Sequence, residues 1–189
     1  VDGWQVFTLV LVHERREVVT AGLPGLHNIE NAVAAACLAR HAGLTLEQIA
    51  AGISSFTGVQ RRFERILETD GHVFIDDYAH HPTEIKRLLE AVRSLYPGQA
   101  IAVLFQPHLF SRTRDFIDGF REELQGADAV GVLPIYPARE LALPGVTSEW
   151  LAEGIPAAVV VPYSEGAHWL AHRPEKIKVT VGAGDIDRL

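Results

Sequence analysis

Short apolar runs alternate with amphipathic segments over the later part of the chain. Between residues 82 and 96 the apolar side chains recur at the spacing of one helix face, at Ile85, Leu88, Leu89, Val92 and Leu95. Strand-like runs lie near residues 73–75, 100–105, 129–134, 158–161 and 177–181, and further helical patterns lie near 114–125 and 147–153. Regular alternation of this kind predicts an α/β fold with a doubly wound, mostly parallel sheet.

The first part of the chain has a different pattern. Strand-like runs at residues 4–12 and 17–20, separated by the charged stretch 13–16, predict an antiparallel hairpin. Two helices are predicted next, over about residues 28–41 and from behind Thr45 to about residue 56. Because the pattern breaks there, we predict two domains, 1–57 and 58–189.

Ionisable side chains follow two of the predicted strands directly. Tyr78 and His80 come after the first strand of the predicted sheet, and His108 and Arg112 come after the second. Parallel strands joined by crossover helices have their carboxyl ends at the same edge of the sheet. We therefore predict that these four side chains share one cleft, as is typical of open α/β sheets.

Each of these residues has more than one interpretation. A carboxylate at the position of Asp77 either accepts hydrogen bonds from a ribose or orders the loop and caps the next helix. Arg112 is either a two-pronged clamp for a carboxylate or a solvated surface side chain. A zinc site is a further hypothesis for His80, His81, His108 and Asp77. Adjacent histidines seldom face the same way, however, and His81 is expected to serve the turn.

The composition narrows the class of protein. The chain has 189 residues and a formal charge of -7 with scattered basic residues, which argues against a nucleic-acid partner. The single cysteine, Cys37, excludes a disulfide framework and is expected to be a packed apolar residue of a helix. No apolar run approaches the ~20 residues of a membrane span and no signal peptide is visible. We expect a cytoplasmic protein with no membrane partner.

Two glycine motifs are informative, one by its absence. The chain has no Gly-Lys-Ser or Gly-Lys-Thr and hence no P-loop of its own. The stretch Gly182-Ala183-Gly184-Asp185 matches half of a dinucleotide fingerprint, but no helical pattern follows it. We interpret it as a tight loop after the last strand. The chain also has no methionine and opens inside an apparent element, which indicates a fragment.

Six motifs, in order along the chain, resemble those of the Mur ligase family. They are Gly25–Ala32, Gly58–Phe63, Asp76–Ile85, Phe105–Thr113, Ile135–Glu140 and Gly182–Ile186. The resemblance implies that residues 1–57 are the hairpin-and-helix tail of a central P-loop ATPase domain. Residues 58–189 would then be the Rossmann-like C-terminal domain, which brings the amino acid. The P-loop lysine, most ligands of Mg²⁺ and the UDP-sugar domain would lie outside this chain.

The resemblance also implies a reaction. It is the ATP-dependent joining of L-alanine to UDP-N-acetylmuramate through an acyl phosphate, in peptidoglycan precursor synthesis. ATP, Mg²⁺, UDP-N-acetylmuramate and L-alanine are thus the expected cofactors and partners, in the bacterial cytoplasm. A homodimer of the complete enzyme is compatible with it. Without a P-loop, the chain alone is expected to be inactive.

Residue roles follow from the matched motifs and are implied by the resemblance alone. His27 and Asn28 correspond to contacts with the nucleotide base, Asp77 to the ribose contact, and Arg62 to a cation that reaches ATP. Tyr78, His80, His108 and Arg112 correspond to the L-alanine pocket. Either His80 or His108 would deprotonate the ammonium group, and the sequence leaves open which one does. No protein metal site is expected in this chain.

One position departs from the family, and three alternatives remain. The family usually has an arginine directly after the histidine of the Phe105–Thr113 motif, where this chain has Leu109. Carboxylate binding would then depend more on Arg112 or on another cation such as Arg139. The alternatives are a recycling ligase that joins a tripeptide to the same sugar nucleotide, a noncatalytic amino-acid-binding module, and a zinc hydrolase.

Overall fold

A computed structural model describes residues 5–11, 14–20, 24–69 and 71–189 of the chain. The chain divides into two compact units, the first ending at Val59 and the second beginning at Gln60. The assignment of residues 1–57 and 58–189 to two domains of a larger enzyme stays a prediction. Across the described ranges, no helix combines the length and apolar character needed to cross a membrane.

The first unit contains the predicted hairpin and two helices. Strand β1 (Gln5–Leu11) pairs antiparallel with β2 (Glu14–Thr20), followed by α1 (Leu26–His41) and α2 (Leu46–Ser55). The prediction of a hairpin is confirmed, but residues 14–16 belong to β2 and not to a turn; residues 4, 12 and 13 lie outside the described residues. Helix α2 begins behind Thr45, whose side chain and that of Gln48 form a capping box.

The prediction for Cys37 is wrong, because its side chain is exposed. In this unit α1 contributes Ala36 to a small core with Leu9, Val18, Leu46 and Ile49. Adjacent helical residues are about 100° apart around the axis, so Cys37 lies off the face that Ala36 buries.

The second unit is built on a six-stranded sheet in the order β3-β4-β8-β5-β6-β7. The strands are β3 (Glu64–Glu68), β4 (Val73–Asp77), β5 (Ile101–Phe105), β6 (Ala129–Val132), β7 (Ala158–Val160) and β8 (Ile177–Val181). All neighbouring pairs are parallel except β3 with β4. The predicted mostly parallel sheet is therefore confirmed. The edge strand β3 was not predicted, because its residues are largely exposed and give no apolar run.

Helices cover both faces of this sheet. They are α3 (Pro82–Leu95), α4 (Phe110–Asp115), α5 (Ile117–Leu124), α6 (Ser148–Ala152) and α7 (Gly166–Ala171), with short 3-10 turns at Tyr163–Glu165 and Ile186–Arg188. Successive residues of β5 face opposite sides: Val103 packs in a core with residues of α3 and α5, and Leu104 in a second core with Leu170 of α7. The doubly wound architecture is thus confirmed.

The helix predicted over 114–125 differs from the structure. Two helices, α4 and α5, cover this region and are separated at Phe116, whose φ of -118° is not helical. Helix α7 was not predicted at all. Each of these helices is shorter than nine residues, too short for the apolar period to be read with confidence from sequence.

Candidate functional site

Loops that follow four strands meet at the carboxyl edge of the central sheet. They are residues 78–81 after β4, 106–109 after β5, 133–140 after β6 and 182–187 after β8. Because β8 lies between β4 and β5, and β6 lies beside β5, the four loops are neighbours. The side chains of Tyr78, His80, His108 and Arg112 come together at this edge.

The aromatic rings of the site form a continuous series. The ring centroid of His80 lies 5.4 Å from that of Tyr78 and 6.2 Å from that of His108. The ring of Tyr136 stacks on His108, with centroids 5.7 Å apart and planes 14° apart. The strand-loop-helix pattern thus brings together the residues that it predicted, and Tyr136 joins them from the loop after β6.

The tautomer of neutral His80 is set by the backbone. Its Nδ1 lies 2.8 Å from the carbonyl oxygen of Tyr78, so the proton is on Nδ1 and the lone pair is on Nε2. Glu84, in the first turn of α3, accepts a hydrogen bond from the backbone N–H of His80 at 2.8 Å and lies 3.4 Å from Nδ1. Nε2 of His80 can therefore take a proton, with a carboxylate beside the ring to stabilise the resulting charge.

His108 has the opposite tautomer. Its Nδ1 lies 3.3 Å from a terminal nitrogen of Arg112, and a guanidinium group can only donate, so Nδ1 accepts and Nε2 carries the proton. Burial, the charge of Arg112 and the charge of His80 all lower the pKa of His108, and Glu140 opposes them weakly. His108 is thus a neutral hydrogen-bond donor at physiological pH.

Arg112 retains donors for a ligand. Among the described residues, no carboxylate lies within salt-bridge distance of its guanidinium. The side chain is half-buried, and its guanidinium makes one hydrogen bond, to His108. The usual partner of such a fork is a carboxylate, held by two parallel hydrogen bonds. Arg139, the other cation considered for this role, is exposed.

Arg61 and Arg62 are adjacent but have different environments. The guanidinium of Arg61 donates to Asp76 Oδ2 at 3.0 Å and to the carbonyl oxygens of Gly182 and Gly184 at 2.6 and 3.1 Å. Arg62 is exposed and makes no hydrogen bond or salt bridge to any residue of the described ranges. Its guanidinium carbon lies 5.4 Å from the ring centroid of Tyr78. Arg62 is therefore the cation of this pair that can reach a ligand.

Asp77 is the last residue of β4 rather than a loop residue. Its carboxylate accepts the backbone N–H of Phe63 at 2.7 Å and that of Ala79 at 2.8 Å. Burial raises the pKa of Asp77, and these two hydrogen bonds partly offset the effect. The residue orders the loop; the side chain that caps α3 is that of His81, which accepts the N–H of Thr83.

The glycine-containing stretch after β8 is a tightly packed loop, as the sequence predicted. A Cβ atom at Gly182, where φ is 152°, would lie 2.7 Å from the carbonyl oxygen of Gln106, and one at Gly184 would lie 2.8 Å from the Cβ of Tyr136. The buried Gln106 fixes the same loop: its amide donates to Asp185 at 2.8 Å and accepts from the N–H of Ile186. The loop thus forms the floor beneath Tyr136.

The remaining predicted residues lie in α1 of the first unit. His27 and Asn28 are in its first turn, and the amide of Asn28 donates to the carbonyl oxygen of Pro24 at 2.8 Å. Both side chains are half-buried within that unit. Their assignment to a nucleotide base stays a prediction.

The structure does not support a zinc site. Within the described ranges, no group of three or more His, Cys, Asp or Glu side chains is arranged to hold a metal ion. His81 caps α3 and packs its ring 4.5 Å from that of Phe116, and Asp77 is engaged by two backbone N–H groups. Among the described residues, the four side chains of the zinc hypothesis therefore do not come together as a metal-binding group.

Two functional candidates were missed from the sequence as individual residues. Tyr136 and Glu140 belong to the motif Ile135–Glu140, which counted toward the family resemblance without a role being assigned to either residue. Glu140 accepts hydrogen bonds from the backbone N–H and the hydroxyl of Ser111, and these bonds lower the pKa of Glu140. The aromatic ring of Tyr136 and the carboxylate of Glu140, at fixed positions of that motif, are the sequence features that could have identified these residues.

Comparison with known proteins identifies a family. The model of the family described as "Mur ligase, glutamate ligase domain" matches residues 61–186. UDP-N-acetylmuramate--L-alanine ligase from Flavobacterium johnsoniae is 45% identical over 190 residues, which are 100% of this chain and 42% of that protein. The enzyme of the same name from Cytophaga hutchinsonii is 44% identical over 191 residues, which are 99% of this chain and 41% of that protein. This chain thus spans about two fifths of the length of these relatives.

Solved structures agree with this assignment. The UDP-N-acetylmuramate-alanine ligase of Thermotoga maritima has a TM-score of 0.73 at 26% identity, over 98% of this chain and 44% of that one. A murein peptide ligase from Psychrobacter arcticus has a TM-score of 0.66 at 21% identity, over 98% of this chain and 42% of that one. The second likeness is evidence for the fold alone.

Proposed function

The chain belongs to the Mur ligase family, and on that premise we propose that it is the amino-acid-binding part of a ligase that joins L-alanine to UDP-N-acetylmuramate. Residues 58–189 would be its C-terminal domain and residues 1–57 the tail of its central ATP-binding domain. The observation that carries the proposal is the arrangement of His80, His108 and Arg112. Arg112 has unused donors, and the two histidines present an acceptor and a donor beside it.

The arrangement fits an amino acid in one orientation. The carboxylate of L-alanine binds the fork of Arg112, which His108 holds through its Nδ1. Tyr78 and Tyr136 flank the histidines and limit the space left for the side chain. The ammonium group then faces the lone pair of His80 Nε2.

His80 is the base that we favour, because its tautomer leaves Nε2 unprotonated whereas His108 carries a proton there. His80 takes a proton from the ammonium group, and the freed amine attacks the carbonyl carbon of an acyl phosphate formed on the lactyl carboxylate. The new C–N bond forms, the C–O bond to phosphate breaks, and the departing phosphate takes the second proton from the nitrogen. Glu84 stabilises the imidazolium that His80 becomes.

The chain also contains residues that suit ATP. Arg62 is an exposed cation for a phosphate, and Asp77 keeps lone pairs that can accept from a ribose hydroxyl. His27 and Asn28 are proposed to contact the base. Bound ATP and Mg²⁺ would supply the phosphoryl group and its charge neutralisation. The described residues contain no acidic cluster for Mg²⁺, so most of its ligands would come from outside this chain.

The test uses the completed enzyme, meaning this chain joined to the additional portion that its curated relatives have. Phosphate release is followed with ATP, Mg²⁺ and UDP-N-acetylmuramate while L-alanine, glycine or the tripeptide is added singly. Release that depends on L-alanine supports the proposal. Release only with tripeptide assigns the chain to the recycling ligase, and no release with any of them refutes ligase activity. The 189-residue chain alone is expected to turn over no ATP.

A further inference from the structure

Helix α4, which carries Arg112, begins without a capping side chain of its own. Its N-cap residue is Leu109, which has a left-handed backbone with φ of 71° and makes no side-chain hydrogen bond to the helix. The first N–H groups of a helix have no partner within the helix and need one from elsewhere. For α4 that partner comes from a different loop.

Glu140, from the loop after β6, caps α4 in place of Leu109. One carboxylate oxygen accepts the backbone N–H of Ser111 at 2.9 Å, and the other accepts the hydroxyl of the same residue. A carboxylate at the start of a helix also has a favourable interaction with the helix dipole. Glu140 therefore does from a distance of 29 residues what Ser, Thr or Asp usually does at the N-cap itself.

The backbone of the loop is attached to the same segment of chain. The N–H of Tyr136 donates to the carbonyl oxygen of Pro107 at 2.8 Å, and the N–H of Leu109 donates to the carbonyl oxygen of Tyr136 at 2.9 Å. The loop then turns through Ala138, whose φ of 48° is left-handed. This turn, closed by a hydrogen bond from the N–H of Glu140 to the carbonyl oxygen of Pro137, presents Glu140 to α4.

We propose that Glu140 is a positioning residue for the amino-acid site, because by capping α4 it fixes Arg112 against His108. His108 and Arg112 are four residues apart, so their 3.3 Å contact requires the first turn of α4 to be formed. A helix of six residues is not stable by itself, and the cap is what holds that turn. Within the described ranges Glu140 makes no hydrogen bond to Arg112 or His108, so beyond the weak effect of its charge on His108 it acts through Ser111.

The first measurement examines the histidine tautomer in the full chain and does not depend on activity. Ring nitrogen chemical shifts of His108 are recorded by NMR for the wild type, Glu140→Ala, Glu140→Gln and Ser111→Ala. The control is Glu122→Gln, an exposed glutamate of α5 with no hydrogen bond or salt bridge among the described residues. We expect Nδ1 of His108 to be the unprotonated nitrogen in the wild type and the control, and a mixture of tautomers in Glu140→Ala.

The second measurement is kinetic and rests on the proposed function. In the completed enzyme we expect Glu140→Ala to raise the KM for L-alanine at least tenfold while the KM for ATP changes less than twofold. Glu140→Gln keeps one acceptor oxygen and should be intermediate, and the control should match the wild type. If Glu140→Ala fails to fold by circular dichroism, Glu140→Gln and Ser111→Ala replace it in both measurements.

The outcomes separate this inference from the proposed function. If Arg112→Ala raises the KM for L-alanine and Glu140→Ala does not, Glu140 is not a positioning residue although the ligase proposal stands. If Arg112→Ala changes nothing, the proposed carboxylate clamp fails, and the NMR result alone decides about Glu140. An unchanged His108 tautomer in Glu140→Ala overturns the inference in either case.

Discussion

Adjacent arginines provide the sharpest test of how this site is built. Arg61 and Arg62 have the same side chain and neighbouring positions, but the structure predicts opposite effects when each is replaced by alanine. Arg61→Ala should destabilise the second unit, and it should remove no contact with a ligand. Arg62→Ala should leave stability nearly unchanged and, under the proposed function, weaken the binding of ATP.

The size of the Arg61 effect follows from its contacts. Its side chain is 14% exposed and donates to Asp76 and to the carbonyl oxygens of Gly182 and Gly184, and it also lies 3.1 Å from Asp187. Asp76 is itself only 6% exposed and would lose its cationic partner. Breaking a buried ion pair by removing one partner costs about 3–5 kcal/mol of the free energy of unfolding. A surface substitution such as Arg62→Ala usually changes it by less than about 0.5 kcal/mol.

The assay is equilibrium unfolding in urea, followed by the fluorescence of Trp150 and Trp169, which both lie in the second unit. Arg61→Lys is a useful third variant, because it keeps the charge but loses the planar fork that serves three acceptors, so we expect it to recover less than half of the lost stability. Equal free energies of unfolding for Arg61→Ala and Arg62→Ala would show that the network around Arg61 does not hold the loops, and would refute the reasoning.

Three further substitutions test other parts of the site. In the completed enzyme, Arg112→Ala should raise the KM for L-alanine roughly 10- to 150-fold, the equivalent of about 1.5–3 kcal/mol for a charged hydrogen bond. The control Arg114→Ala, two residues along the same helix, should leave this KM unchanged. Equal KM values for the two variants would place the carboxylate clamp elsewhere. Because the folded state lowers the pKa of His108 below its usual 6.5, the unfolded chain binds more protons, so stability should fall as pH decreases through 6.5, and His108→Gln should flatten that part of a plot of melting temperature against pH. Asp77→Asn should lower the free energy of unfolding in urea by about 1–3 kcal/mol, because an amide can accept only one of the two backbone N–H groups. Burial raises the pKa of Asp77, so the stability of the wild type should fall as pH rises above 3.8. The Asp77→Asn variant should not show this fall.

The central elements could be predicted from sequence because burial leaves a strong pattern there. All five residues of β5 are buried, so this strand gives a continuous apolar run in the sequence. Helix α3 buries one face only, so its apolar residues recur with the helical period. Elements at the periphery lack that pattern: β3 is largely exposed, and α4 and α7 have six residues each. Cys37 shows the converse error, because an apolar stretch of helix does not say which of its residues face a core.

The site was predictable only where it follows directly from a strand. His80, His108 and Arg112 come after β4 and β5, so the shared direction of parallel strands was enough to predict that they lie at one edge of the sheet. The positions of Tyr136 and Glu140 depend on backbone hydrogen bonds between two loops, and no periodicity in sequence encodes such pairing. Periodicity alone could not distinguish Arg61 from Arg62, since their difference lies in the carboxylate and carbonyl oxygens that surround the guanidinium of Arg61.

Residues with strained backbone conformations around the site are held in place by hydrogen bonds. Among the described residues, the non-glycine residues with left-handed backbone are Arg61, Phe63, Leu109 and Ala138, and all belong to the segment before β3 or to the loops after β5 and β6. Such conformations cost about 1–3 kcal/mol each and persist only when the surroundings determine them. Here the N–H of Arg61 donates to Glu64, that of Phe63 to Asp77 and that of Leu109 to Tyr136. Because these bonds are internal to the protein, the loops hold their strained geometry by contacts within the chain, and the contact between His108 and Arg112 is already formed in the site that we propose for an amino acid.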